Sequence, residues 1–203
     1  MTSILKVDTI QDADGNNIIN ESGNTITVGA SGDTTNIIGT LNKDGVAVAN
    51  TPLFDVNLSA DQTASDNTAT KIQFDTENLD PDNVYDNSTN YRFTVPSGQA
   101  GKYLIYGFCT FGSDTGSGNN GGRIFIYKNG SQIASAGNTN HNANNPEKEQ
   151  QSFSIVLDLA VSDYIELYLK CNVTTGSAKL YSDDDLTHAD SKACRFGGYK
   201  LIG

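Results

Sequence analysis

Two histidines and three cysteines are the residues of this chain best suited to acid–base or nucleophilic chemistry. His141 and His188 both lie in polar stretches typical of loops. No Ser, Cys or Asp of the chain stands in a pattern typical of a nucleophile with its base. We therefore expect no catalytic residue and no enzyme activity.

The cysteines Cys109, Cys171 and Cys194 are odd in number and widely spaced. Each lies in or beside an apolar strand pattern, and none belongs to a pair with the short spacing of a zinc site. Buried free thiols are the expected state. A disulfide between Cys171 and Cys194 stays open, because the sequence does not give the distance between their Cα atoms.

Two acidic stretches have side chains suited to a hard cation. The run Asp183–Asp185 places carboxylates on successive positions, so they point in different directions, and a solvated turn is the simpler interpretation. The segment Asp12–Asn16 resembles the opening of a calcium loop but lacks the later bidentate Glu. We predict no metal site and no cofactor.

The charge balance argues against a nucleic-acid partner, and the hydropathy argues against a membrane partner. The formal net charge is −11, and 13 lysines and arginines in 203 residues are too few for a nucleic-acid binder. No window reaches the apolar length of a membrane span, and the first residues lack the layout of a secretory signal. We expect a protein that binds neither nucleic acid nor membrane and that folds where it is made.

Glycine and strand patterns predict two unequal parts. Residues 1–50 contain apolar pairs and triplets between glycine-containing turns, which is typical of very short strands. Such strands bury too little to fold alone, because ordering each residue costs about 1–2 kcal/mol of backbone entropy. We predict that residues 1–50 are an intertwined β segment or an attachment segment, and that residues 51–203 form a separate all-β domain.

The sequence of residues 51–203 predicts ten longer strands and almost no helix. Loops rich in Gly, Asn, Asp and Ser separate them. The pair Asn129-Gly130 predicts a tight hairpin, since both residues tolerate positive φ. The predicted strands lie near 53–58, 70–75, 90–95, 102–111, 122–128, 131–135, 151–160, 163–172, 177–181 and 193–202.

Three of these strands are apolar or aromatic on both faces. In the strand near 102–111, neither alternating set of side chains is polar, so one face must fill a sandwich and the other must meet a subunit or a loop. Tyrosine suits a subunit interface, because its ring is apolar and its hydroxyl finds a partner. The interface residues predicted on this basis are Tyr103, Tyr106, Phe108, Phe125, Tyr127, Tyr164 and Tyr168. Tyrosines packed under loops of a monomer are the alternative.

The ordered strand set resembles the complement C1q and tumour-necrosis-factor family. The similarity is carried by Leu53-Phe54, by Tyr91 to Pro96 followed by Ala100 to Ile105, by Arg123 to Gly130, and by the closing Arg195 to Leu201. The resemblance implies a ten-stranded jelly-roll sandwich that forms a homotrimer. The chain has no collagen-like Gly-x-y stalk, so complement or cytokine signalling is not expected.

The first residues resemble the start of many bacteriophage fibre-type proteins, in the segments Ser3 to Ile10 and Asp14 to Ile19. This similarity implies a virion structural protein, displayed on the virion surface after assembly in the host cytoplasm. We expect a capsid decoration protein or a short fibre, held to a major capsid protein or to a tail or baseplate protein through residues 1–50. The alternative is a fibre head that binds a carbohydrate or receptor on the host surface.

Overall fold

The computed structural model describes residues 9–11, 13–15, 17–22, 25–29, 31–39, 41–43, 46–47, 50–141, 146–183 and 192–201. The chain divides into two compact units, residues 1–48 and 49–203, and each is described by itself. All regular elements of the described residues are β-strands. The predicted all-β fold class is therefore confirmed.

The first unit contains five short strands: β1 (Thr9–Gln11), β2 (Asn17–Ser22), β3 (Thr25–Val28), β4 (Asn42–Lys43) and β5 (Val46–Ala47). Strands β1, β2 and β3 form an antiparallel sheet, and β4 pairs with β5. Ile10, Ile19 and Val28 lie opposite one another across the sheet, and Ile26 shares their face. These four side chains are 38–69% exposed. The unit thus leaves an apolar sheet face open to solvent.

The second unit is a sandwich of two antiparallel sheets. Its strands are β6 (Leu53–Asn57), β7 (Gln62–Thr63), β8 (Thr70–Lys71), β9 (Thr76–Leu79), β10 (Tyr85–Asp86), β11 (Arg92–Thr94), β12 (Gly101–Ser113), β13 (Asn119–Lys128), β14 (Ser131–Ala136), β15 (Lys148–Leu159), β16 (Tyr164–Val173), β17 (Ala178–Leu180) and β18 (Cys194–Lys200). The seven-stranded sheet has the order β7-β17-β12-β18-β6-β9, with β15 on the other edge of β12. The six-stranded sheet has the order β10-β11-β16-β13-β14, with β8 also paired to β16.

Nine of the ten predicted strands are present within three residues of their expected bounds, whereas the strand predicted near 70–75 is only β8, Thr70–Lys71. The short strands β7, β9 and β10 were not predicted, because two to four residues carry no readable periodicity. In the predicted hairpin, Asn129 and Gly130 adopt φ of 53° and 75° and join β13 to β14, as expected. Among the described residues, no helix is long and apolar enough to cross a bilayer.

An aromatic cluster fills the centre of the sandwich. The ring of Phe54 on β6 stacks on that of Phe93 on β11, with 4.7 Å between centroids. Phe196 on β18 meets Phe54 edge-on at 4.9 Å. All three side chains are fully buried. Since these strands belong to different sheets, the cluster holds the two layers together.

The three cysteines are free and buried, in agreement with the expected state. Cys109 on β12 lies directly opposite Cys194 on β18. The neighbouring Thr110 N–H donates to Ala193 O, so the cysteines occupy a non-hydrogen-bonded pair, in which Cα atoms lie about 4.5 Å apart. Cys171 is on the other sheet, with its Sγ 3.7 Å from Gly112 O. The cysteine facing Cys194 is therefore Cys109.

We predict that oxidation links Cys109 to Cys194 and leaves Cys171 as a thiol. Oxidised glutathione added during refolding would accept the two electrons, and the two thiols would lose their protons. In the folded protein the reaction should be slow, because burial raises the pKa of the Cys109 thiol well above its usual value. Peptide mass mapping under non-reducing conditions measures the linkage. A Cys171→Ser variant should give the same cross-link, and a bridge containing Cys171 would contradict the prediction.

Candidate functional site

The structure separates the seven predicted interface residues into three groups. Tyr103 is inside the sandwich, Tyr106 and Phe108 lie on the outside of the seven-stranded sheet, and the other four residues lie on the outside of the six-stranded sheet. The four are Phe125, Tyr127, Tyr164 and Tyr168. They lie in three different places in the sandwich, and a role of the six outward residues in a trimer interface stays a prediction.

Tyr103 is the clearest correction. Its side chain is 0% exposed, its ring lies 5.4 Å from that of Phe93, and its hydroxyl donates to Gln99 O at 2.6 Å. The residue shares the inward parity of Ile105 and Cys109 on β12. A side chain that is packed on all sides by residues of its own protomer cannot contact another subunit.

The outward residues of the seven-stranded sheet form the first candidate surface, which we name the apolar face. Leu104 and Tyr106 on β12 alternate with the buried residues of that strand. Across the ladder, Leu104 lies opposite Val156 on β15 and Tyr199 on β18, and Tyr199 lies opposite Leu53 on β6. The apolar face consists of Leu53, Leu79, Leu104, Tyr106, Phe108, Val156 and Tyr199.

One carboxylate lies in the middle of the apolar face. Asp55 accepts hydrogen bonds from Tyr106 OH at 2.8 Å, from Arg195 Nε at 2.6 Å and from Asn78 Nδ2 at 2.8 Å. The Asp55 side chain is only 7% exposed, whereas that of Arg195 is 43% exposed. Because the charge is paired and its oxygens are hydrogen-bonded, Asp55 can be covered further at little additional cost.

Gly197 on β18 makes this arrangement possible. A Cβ at this position would lie 2.5 Å from both Cζ and the hydroxyl oxygen of Tyr106. The ring of Tyr106 therefore lies across the backbone of β18, and only a residue without a side chain leaves room for it. The Tyr106 hydroxyl thereby reaches Asp55 on the next strand.

Beside this polar centre is an open groove of about 570 Å³, lined mainly by Leu53, Asp55, Leu79, Arg195 and Tyr199. Burial, together with the hydrogen bond to Asp55, raises the pKa of Tyr106 to about 12. The hydroxyl is thus a neutral donor at ordinary pH. An apolar surface whose polar groups already have hydrogen-bond partners is suited to contact with another protein surface.

The outward residues of the six-stranded sheet form the second candidate surface, which we name the tyrosine face. Phe125 on β13 lies opposite Tyr168 on β16, and Tyr127 lies opposite Glu166. The rings of Tyr127 and Tyr168 are 4.3 Å apart. The tyrosine face consists of Lys71, Asp86, Arg92, Arg123, Phe125, Tyr127, Tyr164, Glu166, Tyr168 and Lys170.

The other chemically suited residues lie elsewhere. His141 Nε2 is 2.8 Å from Glu149 Oε2, and Thr139 Oγ1 donates to the second oxygen of the same carboxylate at 2.5 Å, so this His closes a loop. His188, Asp184 and Asp185 lie outside the described residues, as do Asp12 and Asn16. Among the described residues, no cluster of three or more His, Cys, Asp or Glu side chains is arranged to hold a metal ion.

Five members of the apolar face were not among the predicted interface residues: Leu53, Leu79, Leu104, Val156 and Tyr199. The alternation within each strand predicts which side chains share a face of that strand. It does not predict which strands are neighbours in the sheet. The uninterrupted apolar character of β12 was the usable signal, and it identified Tyr106 and Phe108. The ion pair between Arg195 and Asp55 joins residues 140 positions apart, so no local pattern could reveal it.

Comparison with known proteins finds likeness among solved structures only. No family model matches the chain, and no curated protein matches its sequence. The globular domain of zebrafish complement 1qA has 14% identity and a TM-score of 0.48, over 74% of this chain and 97% of that one. Eiger TNF from S. frugiperda has 12% identity and a TM-score of 0.49, over 73% and 90%. Murine APRIL has 13% identity and a TM-score of 0.44, over 73% and 98%. Identities this low transfer no residue role.

Removing the Tyr106 hydroxyl tests the polar centre. We expect Tyr106→Phe to lower the free energy of unfolding by about 0.5–1.5 kcal/mol at neutral pH, because Asp55 loses a donor. A folded-state pKa of about 12, above the usual 10, means that Tyr106 adds stability below pH 10 and loses it as the pH rises toward 12. The variant should therefore lose less stability than wild type over that interval. Urea unfolding at a series of pH values measures both effects.

Tyr199→Phe is the matched control, since it removes a hydroxyl from the same face without taking a donor from Asp55. Equal effects of the two substitutions at neutral pH would show that the bond to Asp55 contributes nothing specific.

Proposed function

We propose that this chain is a non-enzymatic structural protein that associates with copies of itself through the apolar face. The observation that carries the proposal is the open apolar row Val156, Leu104, Tyr199 and Leu53, which runs across four strands. Val156 is 55% exposed in the isolated chain. A row of this kind on the outside of a sandwich is typical of an interaction surface.

Burial of this row would supply the driving force. Fully burying a Val or Leu side chain contributes about 1.5–3 kcal/mol, so several such residues in each copy provide a substantial gain against the entropy lost on association. The ion pair of Asp55 and Arg195 at the centre restricts how two copies can be aligned, because the copies must meet without separating this pair.

A homotrimer is the proposed assembly. Its support is the resemblance of the ordered strand set to the complement C1q and tumour-necrosis-factor family, which implies three copies. The apolar face supports self-association of some order, and the family resemblance supplies the number three.

The proposed biological setting is a bacteriophage particle, with the homotrimer acting as a capsid decoration protein or a short fibre on the virion surface. The resemblance of segments 3–10 and 14–19 to phage fibre-type proteins supports this setting. The open face of Ile10, Ile19, Ile26 and Val28 supports attachment through residues 1–50, to other copies or to a major capsid, tail or baseplate protein.

A head that binds carbohydrate on the host surface is the second candidate function. The tyrosine face favours it, since partly exposed rings at 4.3 Å provide an apolar platform beside polar groups. In that case the homotrimer would present three such faces.

Placing a charge in the apolar row tests self-association. We expect Val156→Asp to dissociate the assembly, because the carboxylate would be buried at the interface without a partner. Val161→Asp is a matched control, since Val161 is 44% exposed but lies in the turn between β15 and β16. Light scattering coupled to size-exclusion chromatography gives the mass. A monomeric wild type, or identical behaviour of the two variants, would refute the proposed interface, and a stable dimer would refute the trimer.

Particles that lack the protein test the biological setting. If it is a decoration protein, such particles should adsorb normally and lose resistance to heat or osmotic shock, because a clamp between capsid subunits is missing. A short fibre predicts the reverse, with intact resistance and poor adsorption. Infectivity after heating and the adsorption rate are the two measurements, and no change in either would contradict a virion role.

A further inference from the structure

The tyrosine face is positively charged on a strongly acidic chain. It holds four cations, Lys71, Arg92, Arg123 and Lys170, against two carboxylates, Glu166 and Asp86, of which Asp86 lies opposite Arg92. The chain as a whole carries a net charge of −11. Cations gathered on one sheet face of such a chain favour a partner of opposite sign.

Two of these cations face each other across the sheet. Arg123 on β13 lies directly opposite Lys170 on β16, an arrangement that is unfavourable for like charges. Among the described residues, no carboxylate lies within ion-pair distance of either side chain. Arg123 instead donates to Asn138 Oδ1. An anionic group placed between Arg123 and Lys170 would relieve the repulsion.

The aromatic rings lie beside these charges in a fixed arrangement. The rings of Tyr127 and Tyr168 pack against each other, tilted by 34° with centroids 4.3 Å apart, and form an aromatic platform on which each ring keeps at most one face for a ligand. Lys71 Nζ is held by Glu166 Oε1 at 2.5 Å and lies 5.8 Å from the centre of the Tyr168 ring. The platform is therefore held in place before any ligand arrives.

A second ring and cation continue the surface. The guanidinium of Arg92 lies 4.1 Å from the centre of the Tyr164 ring. Along β16, Tyr164, Glu166, Tyr168 and Lys170 follow one another at two-residue steps on one face, which gives a length of about 20 Å at 3.3 Å per residue. This strip accommodates an extended oligomer with both apolar and charged faces.

We propose that the tyrosine face binds an anionic polysaccharide, a sugar chain that carries carboxylate or sulfate groups. The C–H faces of its sugar rings pack on the tyrosine rings, and its acidic groups bind between Lys170 and Arg123. This inference rests on the second candidate function and specifies the class of sugar, and it does not depend on self-association, because the tyrosine face and the apolar face lie on opposite sides of the sandwich.

Charge density favours a polysaccharide over a nucleic acid. Double-stranded DNA carries one charge per about 1.7 Å, so a chain with net charge −11 repels it strongly. A polysaccharide with acidic groups on only some of its rings suffers less repulsion. Its exposed C–H faces also match the tyrosines, whereas the bases of duplex DNA are already stacked on one another.

Titration of the whole chain with four polymers tests the proposal. Hyaluronan offers a carboxylate on every second ring, dextran sulfate of low substitution offers sulfates on some rings, dextran offers neutral sugars, and DNA offers phosphates. Calorimetry should show binding to one or both anionic polysaccharides, weakening as salt is raised, and no binding to dextran. The two anionic polymers distinguish the acid group. Equal binding of dextran, tighter binding of DNA, or no binding to either anionic polysaccharide would overturn the proposal.

Variants place the binding on this face. Tyr127→Ala should weaken binding by about tenfold and Lys170→Gln by about threefold, equivalent to losing one contact each, whereas Tyr168→Phe should retain most of the affinity because it keeps the ring. Lys179→Gln, which removes a cation from β17 on the other sheet, is the control. An equal loss in the control, or unchanged affinity in Lys170→Gln and Tyr127→Ala, would overturn the proposal. So would a change of oligomeric state in these two variants, since the face would then lie between copies.

Discussion

The backbone ladder of β12 is the constraint on which the rest of the second unit depends. Its 13 residues pair with β15 along one edge and with β18 and β17 along the other. This double pairing fixes the register, and the register decides which side chains point inward. Tyr103 and Ile105 therefore fill the core, while Leu104 and Tyr106 reach the outer surface. A shift by one residue would exchange the two sets.

The strands themselves could be predicted from the sequence, because alternation and turn residues are local. The hairpin at Asn129 and Gly130 is the clearest example, since both residues adopt the positive φ that the turn requires, and Asn and Gly are the residue types that tolerate it. Strand pairing is not local. Tyr106 on β12 and Tyr168 on β16 have the same kind of pattern, and only the three-dimensional pairing assigns them to different sheets. For that reason the sequence predicted outward tyrosines on three strands but could not assign them to the two outer faces.

The two outer faces of the sandwich differ in their chemistry for a reason that is visible in the ladders. On the seven-stranded sheet, the one carboxylate at the centre, Asp55, is neutralised by Arg195 and capped by Tyr106, which leaves an apolar surface around it. On the six-stranded sheet, Glu166 pairs with Lys71 and Asp86 lies opposite Arg92, whereas Arg123 and Lys170 have no ion-pair partner among the described residues. One face is therefore suited to another copy of the chain, and the other to an acidic partner.

The contact between Gly197 and Tyr106 has a consequence for how this surface changes over evolutionary time. Any side chain at position 197 would displace the ring, and the displaced hydroxyl would leave Asp55 short of a donor. If Tyr106 were replaced first, position 197 would no longer require glycine and could accept other residues. The three positions 55, 106 and 197 are thus bound to change together, and alignments of related chains should show them as a covarying set, although they lie on three different strands.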